Sequence, residues 1–100
     1  MGDVKRYITE KDPDATLPYG FDWSAWVPSG DSVASAAWNI TSPSGDGTPI
    51  TVSSTSVSSN VASATLTAGT AGNEYQARCR VTTTNGLIDD RTIWIVVRER

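Results

Sequence analysis

From Glu74 to Val81 polar and apolar residues alternate without a break, with Tyr75, Ala77, Cys79 and Val81 set against Glu74, Gln76, Arg78 and Arg80. Successive side chains of a β-strand point to opposite faces, so this pattern buries one clean face only as a strand. The same period of two recurs along the chain. Leu17, Tyr19, Phe21 and Trp23 alternate with Pro18, Gly20 and Asp22, and Ala34, Ala36, Trp38 and Ile40 alternate with Val33, Ser35, Ala37 and Asn39. Val61 to Thr67 repeats it, Ile50 to Ser56 is a shorter case, and Ile93, Ile95 and Val97 face the core with Trp94, Val96 and Arg98 outward. Between these runs stand turn signals: Lys11-Asp12-Pro13-Asp14, Pro28-Ser29-Gly30-Asp31, Ser42 to Pro49, Ser58-Ser59-Asn60, Gly69 to Asn73 and Asn85-Gly86. Pro18 marks its strand as an edge, or as only starting there, because proline cannot donate to a ladder. Asn85-Gly86 predicts a type I′ hairpin turn, in which both residues take positive φ.

Leucine occurs only at Leu17, Leu66 and Leu87, too rarely for amphipathic helices, while serine and threonine abound. About seven strands in a chain of this size predict an all-β, immunoglobulin-like antiparallel β-sandwich. Residues 1–12 read as an N-terminal arm or edge strand, and residues 13–100 as a single sandwich domain. Phe21, Trp38, Tyr75, Cys79, Ile93 and Ile95 are the expected structural core, with Trp38 in the place of the buried third-strand Trp. Tyr75 is a candidate tyrosine corner, its hydroxyl bonded to upstream backbone, although antibody domains place that Tyr two residues before the Cys. Cys79 is alone, so the domain has no internal disulfide.

Composition removes several function classes. The chain has no histidine, so it supplies neither a Ser-His-Asp nor a Cys-His centre, and no enzymatic activity is expected. Cys79, inward on a strand, is a small apolar filler rather than a nucleophile. No cofactor and no metal site is expected. Asp89 and Asp90, being adjacent, point to opposite faces, and Asp89-Asp90-Arg91 reads as a salt-bridged or bulged strand entry before a calcium site. The net charge is −3 and the basic residues are scattered, so nucleic-acid binding is disfavoured. No apolar run reaches membrane-spanning length, and the charged segment from Met1 to Tyr7 is not a signal peptide. Synthesis and retention in a cytoplasm are expected, which leaves the Asn39-Ile40-Thr41 sequon unused. Arg6 stands where a myristoylation motif after Gly2 needs Ser or Thr.

Binding is therefore the expected role. Trp23 and Trp26 sit three apart at a strand end, where one should be partly exposed, and Trp94 faces outward. An exposed Trp serves as an interface anchor, as a plug at the sandwich end, or as a sugar-stacking platform. The candidate interface comprises Val4, Tyr7 and Ile8 of the N-terminal segment, the tryptophans Trp23, Trp26 and Trp94, and the terminal Arg98 and Arg100.

Several stretches, in order along nearly the whole chain, resemble a family of small structural proteins of tailed bacteriophages. They are Lys11 to Ala15, Tyr19 to Trp26, Gly30 to Ala34 with Trp38, Gly69 to Gly72 before Tyr75, Asn85-Gly86 leading into Asp89 to Ile93, and Val97 to Arg100. The resemblance implies a β-sandwich virion component made in the host cytoplasm, of the fibre-to-tail adaptor type. Its partners would be other phage structural proteins, and it would form a homo-oligomer or ring in the particle, at the tail or head–tail collar. A capsid decoration protein and a glycan-binding module are the alternatives.

Overall fold

A computed structural model describes residues 7–99. They form seven strands: β1 (Tyr7–Lys11), β2 (Leu17–Asp22), β3 (Val33–Thr41), β4 (Thr51–Ser58), β5 (Val61–Thr67), β6 (Glu74–Thr83) and β7 (Ile88–Val97). No described residue lies in a helix. One sheet has the order β1-β7-β6-β3 and the other β2-β5-β4. This is consistent with an immunoglobulin-like sandwich whose first strand has joined the sheet of the last. One pairing departs from the antiparallel expectation: β1 runs parallel to β7, with Tyr7 opposite Ile93 and Lys11 opposite Val97.

The core lies between the sheets, where the alternating residues of the sequence meet. Tyr75, Ala77, Cys79 and Val81 of β6 face Ala62, Ala64 and Leu66 of β5, with Phe21, Ile93, Ile95 and Val97 filling the sides. The small alanines of β5 let the sheets approach, as close packing requires. Two of the tryptophans depart from expectation. The fully buried indole is Trp23, at 0% exposure, just past β2. Trp38, on the edge strand β3, is only partly buried against the core.

The hairpin turns also exchange roles. Ser59 and Asn60, between β4 and β5, both take positive φ (49° and 65°), the type I′ pattern, without a glycine. Asn60 tolerates this conformation and is anchored by it: its carbonyl accepts the Trp23 N–H at 2.8 Å and its side-chain oxygen the Val33 N–H at 2.9 Å. At Asn85-Gly86 only Gly86 has positive φ (90°), and its N–H closes on the Thr83 carbonyl at 3.0 Å. Thr83 pairs with Leu87 across a three-residue loop, a type I turn followed by a left-handed glycine. Leu87 then bonds the Thr83 hydroxyl at 3.0 Å, which fixes the longer loop.

Carboxylates tie the loops together at both ends. At one end Asp31 accepts from the Thr84 hydroxyl at 2.6 Å and from the Ser32 and Asn85 N–H groups. At the other, Asp46 accepts from the Tyr75 hydroxyl, from the Thr70 hydroxyl at 2.7 Å and from the Thr48 N–H at 3.0 Å. Tyr75 is buried, and its hydroxyl also accepts the Thr70 N–H at 2.9 Å, so it joins upstream backbone as a tyrosine corner does. Gly69, beside it, has φ of 107° and no room for a side chain: a β-carbon would lie 2.9 Å from Val97 Cγ2 and 3.0 Å from Ile50 Cγ1.

Removing the Tyr75 hydroxyl leaves the Thr70 N–H and the Asp46 carboxylate each short of a partner in a half-buried corner. Tyr75→Phe is expected to destabilise the domain by about 1–3 kcal/mol, read as a lower urea midpoint at unchanged slope.

The hydrogen bonds to carboxylates make stability depend on pH. The Thr84 hydroxyl, foremost among its donors, holds the Asp31 carboxyl down at about 2, against an ordinary 3.8. Tyr75 first, then Thr70, lowers Asp46 as well. A carboxyl whose folded value is depressed binds protons more readily when unfolded, so its contribution is full above about pH 4 and disappears as pH falls towards 2. Tryptophan fluorescence should show the urea midpoint constant from pH 7 to about 4 and falling below that, with a shallower fall in Asp31→Asn.

Candidate functional site

The sandwich is open on one side. β1 ends one sheet and β2 ends the other, and between these two edges runs a groove of about 560 Å³. Tyr19, Phe21 and Ile93 line it from the core side, and Ile8, Pro18, Gly20, Asp22 and Arg91 from the outer side. Ile8, 60% exposed, is among the most open large apolar residues of the domain.

The backbone along this groove can be assigned from the register. Asp22 opposes Val61, and the next residue, Trp23, donates its N–H to the Asn60 carbonyl at 2.8 Å. Bonded pairs alternate in an antiparallel ladder, so Phe21, Tyr19 and Leu17 bond to β5. Pro18, Gly20 and Asp22 therefore turn their backbone groups towards the groove. Pro18 loses nothing there, because its missing N–H would have pointed off the sheet. On β1, the Arg98 N–H reaches the Lys11 carbonyl at 2.9 Å, so by the same alternation Ile8 and Glu10 face away from β7.

Charge sits at one end of the groove. The Arg91 guanidinium lies 4.1 Å over the Trp23 ring, and its Nη1 reaches the Asp22 carbonyl at 3.5 Å. Trp23 in turn packs edge-on to Phe21 at 6.2 Å and to Trp26 at 5.2 Å. Trp23 is thus a core residue that supports the groove, not the interface residue expected: the turn after β2 closes on its carbonyl and folds the ring inward. The Asp22 carboxylate accepts the Ser24 N–H at 2.9 Å, and hydrogen bonds from Ser24 hold its carboxyl below the usual range.

The other expected interface residues do not form one patch. Ile8 and Trp94 are register partners in the sheet of β1, with Trp94 half-buried. Trp26 is half-buried at the Trp23 end. Arg98 lies at the opposite end, paired with Glu10 at 3.4 Å. Tyr7 begins β1, whereas Val4 and Arg100 lie outside the described residues. Of the expected core, Phe21, Tyr75, Cys79, Ile93 and Ile95 are buried, and burial pushes the Cys79 thiol up to about 11. The thiol stays protonated and hence a poor nucleophile at neutral pH.

Asp90 pairs with Arg80 at 3.0 Å across an unbroken β6–β7 register, so the Asp89-Asp90-Arg91 stretch is salt-bridged and not bulged. Among the described residues no group of three acidic, Cys or His side chains could hold a metal ion.

Two residues escaped the sequence reading. Lys11, read as part of a turn, is fully buried, with its ammonium donating to the Ala68 carbonyl at 2.7 Å and the Asp12 carbonyl at 2.9 Å. Desolvation lowers its pKa. Arg91, read as part of a strand entry, is the cation of the groove. Neither carries a local signal, since each acquires its role from a residue far along the chain.

Comparison with curated proteins gave no match. A family model described as podophage GP4 fiber-tail adaptor protein gp77 matches residues 11–96, which run from the last residue of β1 through β2 to β6 and all but the last residue of β7, and include all groove residues on β2 and β7. With most of its length so matched, the chain belongs to the podophage GP4 fiber-tail adaptor (gp77) family.

Proposed function

We propose that this protein is a non-enzymatic structural component of a phage tail, present in several copies, that links fibres to neighbouring tail proteins at the tail or head–tail collar. The observation that carries this reading is the family match over residues 11–96. The form of the domain supports it. A mechanical link needs a rigid body with separate contact regions, and this sandwich has an open groove on one side and loop clusters cross-tied by Asp31 and Asp46 at its two ends. The described residues start with β1 at the Asp22 end and finish past β7 at the Lys11 end, so contact regions are available at opposite ends of the sandwich. Assembly as a ring of copies fits the closed symmetry of most protein oligomers. Synthesis in the host cytoplasm agrees with a domain that needs no disulfide.

Immunogold labelling of intact particles tests this directly. Gold confined to the tail or collar is the expected result; gold spread over the head would replace the adaptor with a capsid decoration protein. A truncation probes the N-terminal segment. Because Lys11 is buried and β1 is paired, the cut must spare β1, so residues 1–6 alone are removed. The truncated domain is expected to keep its thermal midpoint and to be lost from purified particles, and normal incorporation would dismiss a contact role for that segment.

A further inference from the structure

We propose that the groove beside β2 is a docking site for one extended segment of a different virion protein, which adds to the sheet as a fourth strand. The inference rests on the adaptor reading for its choice of partner and on the fold for its site. A constant-type immunoglobulin sandwich carries four strands in this sheet, with the first strand beside the second. Here β1 has gone to the opposite sheet, so the described sheet ends at β2. The position a strand would take is a groove of about 560 Å³ over Tyr19, Phe21 and Ile93.

The edge is chemically prepared for such an addition. Gly20 turns both its N–H and its carbonyl into the groove, Pro18 offers a carbonyl, and Asp22 offers an N–H. Gly20 has no side chain to obstruct an incoming backbone, and none can be added cheaply, since a β-carbon would lie 2.8 Å from the Ala62 carbonyl oxygen. The facing edge is guarded. On β1, Glu10 is ion-paired with Arg98, a charged arrangement of the kind that discourages strand pairing. Addition therefore goes to β2 and not to β1.

The same residues define the occupant. Side chains of an added strand alternate, so every second one would enter the groove and should be apolar to cover Phe21 and Ile93. At the Asp22 end the segment meets the Arg91 guanidinium, which lies over the Trp23 ring and against the Asp22 carbonyl and, short of a salt bridge, attracts the Asp22 carboxylate. A carboxylate there would receive a charge-assisted hydrogen bond. The occupant is thus an extended segment with apolar residues at alternate positions and an acidic group at the end nearest Arg91.

Site-specific photocrosslinking in assembled particles tests the proposal. A benzophenone amino acid replaces Ile8 in protein produced during infection, and crosslinked peptides from purified particles are identified by mass spectrometry. The expected product joins position 8 to an extended, alternately apolar segment of another virion protein. Crosslinks to residues 1–6 of the same chain, to a second copy, or to nothing would overturn it. A crosslink to such a segment of a head protein would support strand docking while removing the adaptor reading.

Ile8→Lys provides an independent measure. At its exposed position the change is expected to leave the thermal midpoint unaltered and to reduce incorporation at least tenfold. Leu87→Lys, on the exposed β6–β7 loop, should incorporate normally. Normal incorporation of Ile8→Lys, or equal loss in both variants, would count against the groove.

Discussion

The parallel pairing of β1 with β7 governs the rest of this architecture. It gives the larger sheet its fourth strand and in the same step leaves β2 as an edge of the smaller one. The pairing is short, from Tyr7 to Lys11, and its far end is fixed by Lys11. That ammonium is taken out of water and compensated by the carbonyls of Ala68 and Asp12, with the Asp12 and Asp14 carboxylates close enough to favour its charge. Burying a charge is costly unless it is hydrogen-bonded, so the lysine favours one position for the strand: were β1 displaced, the ammonium and the distant Ala68 carbonyl would lose each other.

The groove follows from that commitment. Its wall on the core side belongs to the hydrophobic centre, and its far end is closed by Arg91 lying on Trp23. Trp23 therefore couples the binding edge to the core. It touches Phe21 and Trp26, and its backbone is held by Asn60 of the β4–β5 turn. A turn on one sheet edge thus positions a side chain that supports the other.

The two ends of the sandwich are fixed by carboxylates and not by a disulfide. Asp31 and Asp46 each gather donors from loops far apart in sequence, Thr84 in one case and Tyr75 in the other. Such bonds stabilise the ionised acid, so they are intact at neutral pH. They also leave Cys79 free to serve as a buried apolar residue, its thiol unreactive.

The alternation in β2, β5, β6 and β7 was legible in the chain because a strand's two faces are written residue by residue, and of the edge or strand start that Pro18 signalled, the strand order shows an edge. The all-β class, the absence of a disulfide and the family resemblance follow from the sequence by itself. Which tryptophan is buried was not legible: Trp23 and Trp38 both stand in inward phase, just past one edge strand and on another, and the turn after β2, which closes on the Trp23 carbonyl, is what folds that ring into the core. The choice between Ser59-Asn60 and Asn85-Gly86 for the type I′ turn was likewise made by the flanking register, since the Thr83 hydroxyl favours the longer loop. The binding groove belongs wholly to the tertiary structure. Its walls come from β1, β2 and β7, and no local pattern records that a first strand pairs with the last, because that preference arises only when the two sheets have closed around the core.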